Sequence, residues 1–209
     1  MTYSVKEIFL TVQGEGGQAG CPAVFMRFAG CNLWSGREQD RHKAVCKFCD
    51  TDFIGTDGPG GGKFDTPEDL ATAASAHWPG GGRKLVVCTG GEPLLQLDPP
   101  LIAALKAEGF SIAIETNGTL AAPDGIDWIT VSPKSTASLV QTSGQELKLV
   151  YPQADCAPEQ FEHLDFERFS LQPMDGPAQM ENARAAYAYC LAHPLWRLSL
   201  QTHKWIGAP

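Results

Sequence analysis

Short apolar segments rich in β-branched residues recur along this chain of 209 residues, and helical patterns separate several of them. The predicted strands cover residues 23–28, 84–89, 111–116, 128–132, 146–151, 168–172 and 197–202. The predicted helices cover residues 66–78, 99–109 and 177–193. Strands that alternate with helices form a parallel sheet with crossover connections. The alternation therefore predicts an α/β fold.

One connection bears on which α/β fold this is. Residues 133–145 are so rich in Ser, Thr and Gly that they do not predict a full helix. A (β/α) barrel that lacks some of its helices fits this pattern better than a complete eightfold barrel does. A doubly wound sheet is the alternative, because the number of strands does not separate the two folds. We expect one domain over residues 1–209.

Polar or glycine-rich residues follow almost every predicted strand. They are AGC after Arg27, TGGEP (89–93), ETNG (115–118), SPK (132–134), QPMD (172–175) and QTHK (201–204). Active sites of parallel α/β folds lie at the carboxyl ends of the strands. A single segment of this kind is an ordinary turn, but its recurrence favours a shared site at this edge of the sheet.

Charge and composition limit the classes of partner. The formal net charge is -8, whereas nucleic acids and anionic membranes attract basic surfaces. The opening residues, MTYSVKEIFLTVQGEG, contain no long apolar run and predict neither a signal peptide nor a membrane span. Seven cysteines without an export signal indicate reduced thiols. We therefore expect a cytoplasmic protein that binds neither nucleic acid directly nor a membrane.

Three of the cysteines lie in a predicted metal-binding loop at 29–53. Cys46 and Cys49 form a C-x2-C pair, and fourteen residues separate Cys31 from Cys46. A structural zinc site needs four protein ligands, and His42 is the candidate for the fourth. A 4Fe–4S cluster is the other thiolate-rich possibility, and three cysteines would leave one of its irons free. The spacing leaves both possibilities open.

The surroundings of the cysteines resemble the radical S-adenosylmethionine (AdoMet) superfamily. In that superfamily an aromatic residue precedes the last cysteine, as Phe48 precedes Cys49, and a GGEP-type segment follows the second strand, as residues 90–93 do. The common spacing there is C-x3-C-x2-C, so residues 32–45 are a departure. The resemblance implies that the three cysteines hold a 4Fe–4S cluster, whose free iron binds AdoMet.

Longer segments resemble the 7-carboxy-7-deazaguanine synthase family from the first strand to the last. They are EIFLTVQGEG (7–16), GCPAVFMRFAGCN (20–32), CDT (49–51), ETNGT (115–119), SPK (132–134), LQPMDG (171–176) and LQTHKWIG (200–207). The resemblance implies a lyase that converts 6-carboxy-5,6,7,8-tetrahydropterin to 7-carboxy-7-deazaguanine with loss of ammonia, on the route to queuosine. It also implies a partial barrel of about six parallel strands with three helices, usually as a homodimer.

The same resemblance implies a set of site residues. Those expected to bind AdoMet are Phe48, Cys49, Asp50, Gly91, Glu115, Ser132, Pro133, Lys134, Gln172, Pro173, Met174 and Asp175. Those expected to bind the substrate are Val12, Gln13, Gly14, Glu15, Arg27, Thr89, His203 and Pro209. Arg27 would pair with the substrate carboxylate, with a structural ion pair as the alternative. Thr51 resembles the family's Mg2+ ligand.

The implied chemistry begins with reductive cleavage of AdoMet, so we expect a low-potential electron donor of flavodoxin or ferredoxin type. The resulting radical would take a hydrogen from the pterin, which requires no acid–base dyad. Two other interpretations stay open. One is a radical AdoMet enzyme that acts on a macromolecule, like a glycyl-radical activase. The other is a Cys3His zinc module or a cluster-bearing electron carrier.

Overall fold

The computed structural model describes residues 2–209, which form a mixed nine-stranded sheet, a separate two-stranded sheet and four α-helices. The strands are β1 (Tyr3–Val12), β2 (Pro22–Phe28), β3 (Gly62–Phe64), β4 (Leu85–Gly90), β5 (Ser111–Thr116), β6 (Trp128–Val131), β7 (Ser143–Gly144), β8 (Glu146–Tyr151), β9 (Asp165–Phe166), β10 (Phe169–Pro173) and β11 (Trp196–Leu198). The helices are α1 (Pro67–Ser75), α2 (Pro99–Ala107), α3 (Gln179–Ala192) and α4 (Thr202–Ile206). None of these helices is long and apolar enough to span a bilayer.

The large sheet is an open, mostly parallel sheet. Its strands lie in the order β3, β1, β2, β4, β5, β6, β8, β10 and β11, while β7 pairs with β9. β1 is antiparallel to both of its neighbours, and all pairs from β2 to β11 are parallel. β3 and β11 remain as edges of the sheet within the described residues. The prediction of an incomplete (β/α) barrel is therefore confirmed, with the short β11 as an additional parallel strand.

The two faces of the parallel strands carry different side chains. On the outer face, Ile114 of β5 lies in one apolar cluster with Leu101 of α2, and Leu149 of β8 lies in another with Ala186 of α3. Successive strand residues point to opposite faces, so the neighbours of these residues face inward. Inward-facing polar residues include Glu115, Thr130, Glu146, Lys148, Ser170 and Gln172. Because the long helices pack on one face, the doubly wound alternative, which needs helices on both faces, does not apply.

Helices α1 and α2 begin at the residues that their sequences predict. Thr66 accepts a hydrogen bond of 3.1 Å from the backbone N–H of Asp69, and Pro67 occupies the first helical position. Asp98 caps α2 in the same way and accepts from the N–H of Leu101 at 3.0 Å. All three predicted helices are present, each slightly shorter than predicted.

At both edges of the sheet, the observed strands differ from the predicted ones. The predicted last strand, 197–202, is wrong beyond Leu198, where the pairing with β10 stops. The N–H of Thr202 instead donates to the carbonyl oxygen of Gly14 at 2.9 Å, so the chain turns across the mouth of the barrel and begins α4. β1 and β3 are absent from the predicted strands, because an alternation of strands and helices does not predict antiparallel pairs at the edge of the sheet.

Candidate active site

A cavity of about 410 Å³ opens at the carboxyl ends of the parallel strands. Its wall contains almost all of the residues predicted to bind AdoMet, the substrate or a metal. Those on the wall are Val12, Gln13, Gly14, Glu15, Arg27, Cys46, Phe48, Cys49, Asp50, Thr51, Thr89, Gly91, Glu115, Ser132, Lys134, Gln172, Pro173, Met174, Asp175, His203 and Pro209. Cys31 and Pro133 lie off the wall. The fold thus brings the predicted site together at one edge of the sheet.

Cys31 lies directly behind the glycine-rich end of β4. A Cβ atom on Gly91 would lie 2.8 Å from the Cβ of Cys31 and 2.0 Å from the carbonyl oxygen of Gly30. Only glycine permits so close an approach. Gly91 therefore allows the end of β4 to lie against the segment that carries Cys31.

The C-x2-C pair has thiols with opposite pKa shifts. Cys46 donates a hydrogen bond to the sulfur of Cys49, which lowers the pKa of Cys49 to about 6. The same hydrogen bond, together with burial, raises the pKa of Cys46. Thiolates are the ligands that hold iron–sulfur clusters. Since Cys31 and Cys49 pack against the same apolar cluster of Trp34, Ala44 and Phe53, the donor set fits a three-cysteine cluster.

A mononuclear metal site is less well supported. Within residues 2–209, no three His, Cys, Asp or Glu side chains are grouped so that they would hold a single metal ion. His42, the candidate fourth ligand for zinc, is exposed.

Arg41 and Trp34 hold the insertion 32–45 against the cysteines. The guanidinium carbon of Arg41 lies 4.1 Å from the centroid of the Trp34 ring, and Nη1 donates to the carbonyl oxygen of Cys49 at 3.3 Å. Trp34 packs edge-on against Phe53, with ring centroids 5.6 Å apart. The long gap between the cysteines thus forms an ordered cover that is tied to the last cysteine.

Glu92 of the GGEP segment does not line the cavity. It is fully buried, and its carboxylate accepts from the hydroxyl of Thr116 at 2.7 Å and from the backbone N–H groups of Asn117 and Leu94 at 2.8 and 3.0 Å. Burial raises the pKa of Glu92, although these hydrogen bonds oppose the change. Glu92 therefore links the ends of β4 and β5, and Gly91 faces the cavity.

Lys134 lies on the side of the cavity that is nearest the cysteines. Its ammonium donates to the carbonyl oxygen of Ser132 at 3.0 Å and to the hydroxyl of the same residue. It also lies 5.9 Å from the centroid of the Phe48 ring. Burial lowers the pKa of Lys134. A buried ammonium in this position suits a carboxylate ligand.

Two carboxylates and one ammonium lie together on the cavity wall. Lys148 donates to Glu15 at 2.7 Å and to Glu115 at 2.8 Å. Burial alone would raise the pKa of Glu15, but Lys148 lowers it to about 2. Burial raises the pKa of Glu115 to about 7, although Lys148 opposes the change. The pKa of Glu115 therefore lies well above that of Glu15, and both groups are carboxylates above about pH 7.

Two amide groups on the wall each have an unpaired polar atom within residues 2–209, namely Nε2 of Gln172 and Oε1 of Gln201. The other end of each amide is fixed. Oε1 of Gln172 accepts from Ser199 at 2.6 Å, and Nε2 of Gln201 donates to Glu15 at 2.8 Å. Buried polar atoms without a partner cost free energy. Both amides are therefore suited to hydrogen-bond a ligand in the cavity.

Arg27 forms the structural ion pair that was the alternative to its predicted substrate role, and it also lines the cavity. Its Nε donates to Glu7 at 2.7 Å, so the structural ion pair is present. The same side chain lies on the cavity wall, with its guanidinium carbon 6.0 Å from the centroid of the Phe9 ring. The ion pair thus fixes the orientation of a guanidinium group that is accessible to a ligand.

The C-terminal segment closes one side of the mouth. A Cβ on Gly14 would lie 1.9 Å from Nδ1 of His203, so these residues are in direct contact. The hydroxyl of Thr11 donates to the carbonyl oxygen of Pro209 at 3.3 Å, which holds the end of the chain at the rim. His203 and Pro209, both predicted to bind the substrate, therefore lie beside β1 and the turn that follows it.

Lys148 and Gln201 are on the cavity wall but are absent from the predicted site. A signal for Lys148 is present in the sequence, because ELKLVY puts a lysine between Leu147 and Leu149. Those leucines face the outer apolar cluster, so the lysine points to the inner face. Gln201 has a weaker signal, because QTHK (201–204) is recognised as a polar segment at a strand end but Gln201 itself is not assigned to a ligand.

Comparisons with known proteins found a matching family model, several full-length relatives and a similar solved structure. The family model described as Radical SAM superfamily matches residues 41–142. The 7-carboxy-7-deazaguanine synthase of Caulobacter vibrioides is 71% identical, with 100% of both chains covered. The 7-carboxy-7-deazaguanine synthase of Bradyrhizobium diazoefficiens is 64% identical, with 99% of both covered. The crystal structure of QueE from Escherichia coli has a TM-score of 0.71 at 28% identity, covering 97% of this chain and 95% of that one.

Proposed function

Since the chain belongs to the 7-carboxy-7-deazaguanine synthase family, we propose that it contracts the ring of 6-carboxy-5,6,7,8-tetrahydropterin to 7-carboxy-7-deazaguanine with loss of ammonia. The observation that carries this function is that one cavity wall contains both the thiols of Cys46 and Cys49 and the Glu15–Lys148–Glu115 group. Full-length relatives that bear the synthase name do not favour a glycyl-radical activase or a zinc module.

The radical SAM superfamily implies a 4Fe–4S cluster and AdoMet. Cys31, Cys46 and Cys49 would hold the cluster. When bound, the cluster and AdoMet supply the radical that starts the reaction, given an electron from a low-potential donor of flavodoxin or ferredoxin type. The protein's own residues supply binding, orientation and the exclusion of water.

The residues that we propose to bind AdoMet would each make a different kind of contact. Because Gly91 has no side chain, AdoMet can approach its backbone closely. The ammonium of Lys134, which lies beside Ser132, suits the AdoMet carboxylate. Phe48 presents its ring to the same region. The unpaired Nε2 of Gln172 supports a role for the end of β10 in binding the nucleoside. Pro133 lies off the wall and would act only by shaping the backbone between its neighbours.

The substrate-binding residues also have suitable chemistry. The guanidinium of Arg27, already fixed by Glu7, suits the pterin carboxylate. The carboxylate of Glu15 suits the N–H groups of the guanidine-like edge of the pterin, with Gln13 beside it. His203 and Pro209 line the rim. Thr51 would bind Mg2+ through one hydroxyl group, because Mg2+ keeps water and substrate oxygens as most of its ligands.

The proposal includes a homodimer. An apolar face formed by Met180, Tyr187, Leu198 and Trp205 lines a second cavity of about 320 Å³. Met180 and Trp205 are 68% and 73% exposed, which is unusual for large apolar side chains. Sedimentation of the wild-type protein and of Trp205→Asp tests this part, since a monomeric wild type would reject it.

The test of the proposed function is anaerobic turnover. The reconstituted protein is incubated with AdoMet, a reductant and carboxytetrahydropterin, and the deazapurine chromophore is followed. Product is expected from the wild type and from Cys21→Ser, whose thiol is exposed and off the cavity wall, but not from Cys46→Ser. A wild-type protein that carries its cluster and cleaves AdoMet without forming the deazapurine would reject the function.

A further inference from the structure

Lys148 is a buried ammonium on the inner face of β8. Its side chain is 6% exposed, and Nζ lies 2.7 Å from Oε2 of Glu15 and 2.8 Å from Oε2 of Glu115. Glu15 follows β1 and Glu115 belongs to β5, so one ammonium joins three parts of the barrel mouth. All three side chains line the cavity.

The second oxygen of each carboxylate is held by an amide. Nε2 of Gln201 donates to Oε1 of Glu15 at 2.8 Å, and Nε2 of Gln13 donates to Oε1 of Glu115 at 3.2 Å. Each carboxylate is thus fixed at both oxygens. Carboxylates held in this way retain lone pairs that point in defined directions.

Stability alone does not account for this arrangement. Replacing a buried ion pair or triad by apolar side chains of similar volume is often neutral or stabilising, because the desolvation of each charge is costly. A buried charge group is therefore weak support for stability, and perturbed carboxyl groups in a cleft are candidates for function. Lys148 holds the pKa of Glu15 at about 2, so Glu15 remains an anion throughout the neutral range.

We propose that Lys148 is a positioning residue for the substrate, because it holds the carboxylates of Glu15 and Glu115 in the orientation that accepts the N–H groups of the pterin's guanidine-like edge. This inference rests on the proposed function, and it assigns Glu115, which was predicted to bind AdoMet, to the substrate. Lys148 itself acts through the two glutamates and does not contact the reacting atoms. The substrate class is a flat heterocycle with adjacent N–H donors, for which paired carboxylate oxygens are the complementary acceptors.

The first experiment compares Lys148→Met with Lys84→Met in the cluster-loaded protein. Lys84 is a matched control, since it is also largely buried and hydrogen-bonded, to Ser75 at 2.6 Å, but lies off the cavity wall. In Lys148→Met the KM for the pterin is expected to rise about 30-fold, because hydrogen bonds to correctly placed charged groups are lost. The KM for AdoMet and the values for Lys84→Met are expected to change less than about twofold. An unchanged pterin KM in Lys148→Met would overturn the proposal.

The pH profile gives a readout that a purely structural role would not change. The titratable groups facing the two carboxylates are Lys148, Lys134, His203 and Glu146. Without Lys148, burial raises the pKa of Glu15, so the acidic limb of kcat/KM for the pterin is expected to move to higher pH. The limb is expected to stay in place in Lys84→Met. An acidic limb that is the same in all three proteins contradicts the proposal.

A double-mutant cycle with Glu15→Gln covers the case in which Lys148→Met does not fold. The double variant Glu15→Gln/Lys148→Met removes one charge of each sign and so avoids leaving Glu15 buried and unpaired. If Lys148 acts through the two glutamates, adding Lys148→Met to Glu15→Gln raises the pterin KM by much less than Lys148→Met raises it in the wild type. A further increase in the pterin KM as large as the one that Lys148→Met causes in the wild type would reject the inference. Failure of the wild type to form the deazapurine would instead reject the proposed function.

Discussion

The ammonium of Lys204 on α4 donates a hydrogen bond of 2.9 Å to the carboxylate of Asp50, which directly follows Cys49 in the chain. The same ammonium also binds the carboxylate of Asp175, beyond the end of β10. One lysine thus joins the C-terminal helix, the cysteine loop and a parallel strand across the cavity. Both carboxylates belong to the predicted AdoMet site.

Lys204→Met is expected to weaken AdoMet binding more than it weakens the fold. The ion pairs are partly exposed, so their loss should cost below about 1 kcal/mol in the free energy of unfolding. Because Asp50 and Asp175 lose a common partner beside the cofactor, the KM for AdoMet should rise about fivefold. Lys106→Met is the control, since Lys106 pairs with Asp127 at similar exposure but away from the cavity. Equal AdoMet KM values in the two variants would contradict the role.

Much of the barrel was predictable because its parallel strands repeat one pattern. Each apolar run is followed by a polar turn, and the carboxyl ends of parallel strands meet at one edge. Residues as distant as Gln13, Glu115 and Gln172 therefore line a single cavity, as the sequence predicts. The helix starts were predictable for a local reason, since Thr66 and Asp98 are typical N-caps followed by proline.

The parts that were not predicted depend on contacts distant in sequence. Residues 197–202 alternate apolar and polar side chains, which predicts a strand. The backbone N–H of Thr202 instead donates to the carbonyl oxygen of Gly14, and α4 begins there. Lys148 in a strand resembles a solvent-facing residue until the inner face of the sheet is known to be a cavity wall. Glu92 follows Gly91 directly, but only Gly91 lines the cavity. The side chain of Glu92 is buried, where it accepts hydrogen bonds from three donors.

Gly14→Ala is expected to disrupt the substrate side of the mouth. The new Cβ would lie 1.9 Å from Nδ1 of His203 and 2.8 Å from its Cβ, so α4 or the VQGEG turn must move. A displacement of that size should raise the KM for the pterin about tenfold or more. In the control Gly62→Ala, the new Cβ meets nothing closer than 3.7 Å, and no change is expected. A Gly14→Ala protein with normal pterin KM would show that this contact is not needed.

Glu92→Ala is expected to lower the free energy of unfolding by about 3 kcal/mol, because three buried donors lose their acceptor. The donors are the hydroxyl of Thr116 and the N–H groups of Asn117 and Leu94. Denaturant titration of the variant and of Glu167→Ala, whose side chain is exposed, measures the difference. If Glu92→Ala lowers the free energy of unfolding no more than Glu167→Ala does, water replaces the carboxylate as the acceptor of these hydrogen bonds.

Thr51→Ala tests the proposed Mg2+ ligand. Mg2+ is expected to increase turnover by the wild type, and the increase should be smaller in the variant because one ligand oxygen is removed. The control is Thr72→Ala, on the exposed side of α1. Turnover is measured with and without added Mg2+ after chelation of the protein stock. The same Mg2+ response in Thr51→Ala and Thr72→Ala would reject the role.

Glu115 is expected to make the stability of the fold depend on pH between about 4.5 and 7. Its pKa is raised from 4.5 to about 7, chiefly by burial, so folding favours the protonated form. A raised pKa contributes stability that is fully present below about pH 4.5 and is lost as the pH rises through about 7, by up to about 3 kcal/mol. Glu15 has the opposite shift, to about 2, so its contribution changes below this window. The free energy of unfolding of the wild type minus that of Glu115→Gln should therefore fall across the window and level off near pH 8. Because the other buried groups are common to both proteins, a difference that stays constant over this range would mean that Glu115 is already ionised at pH 4.5.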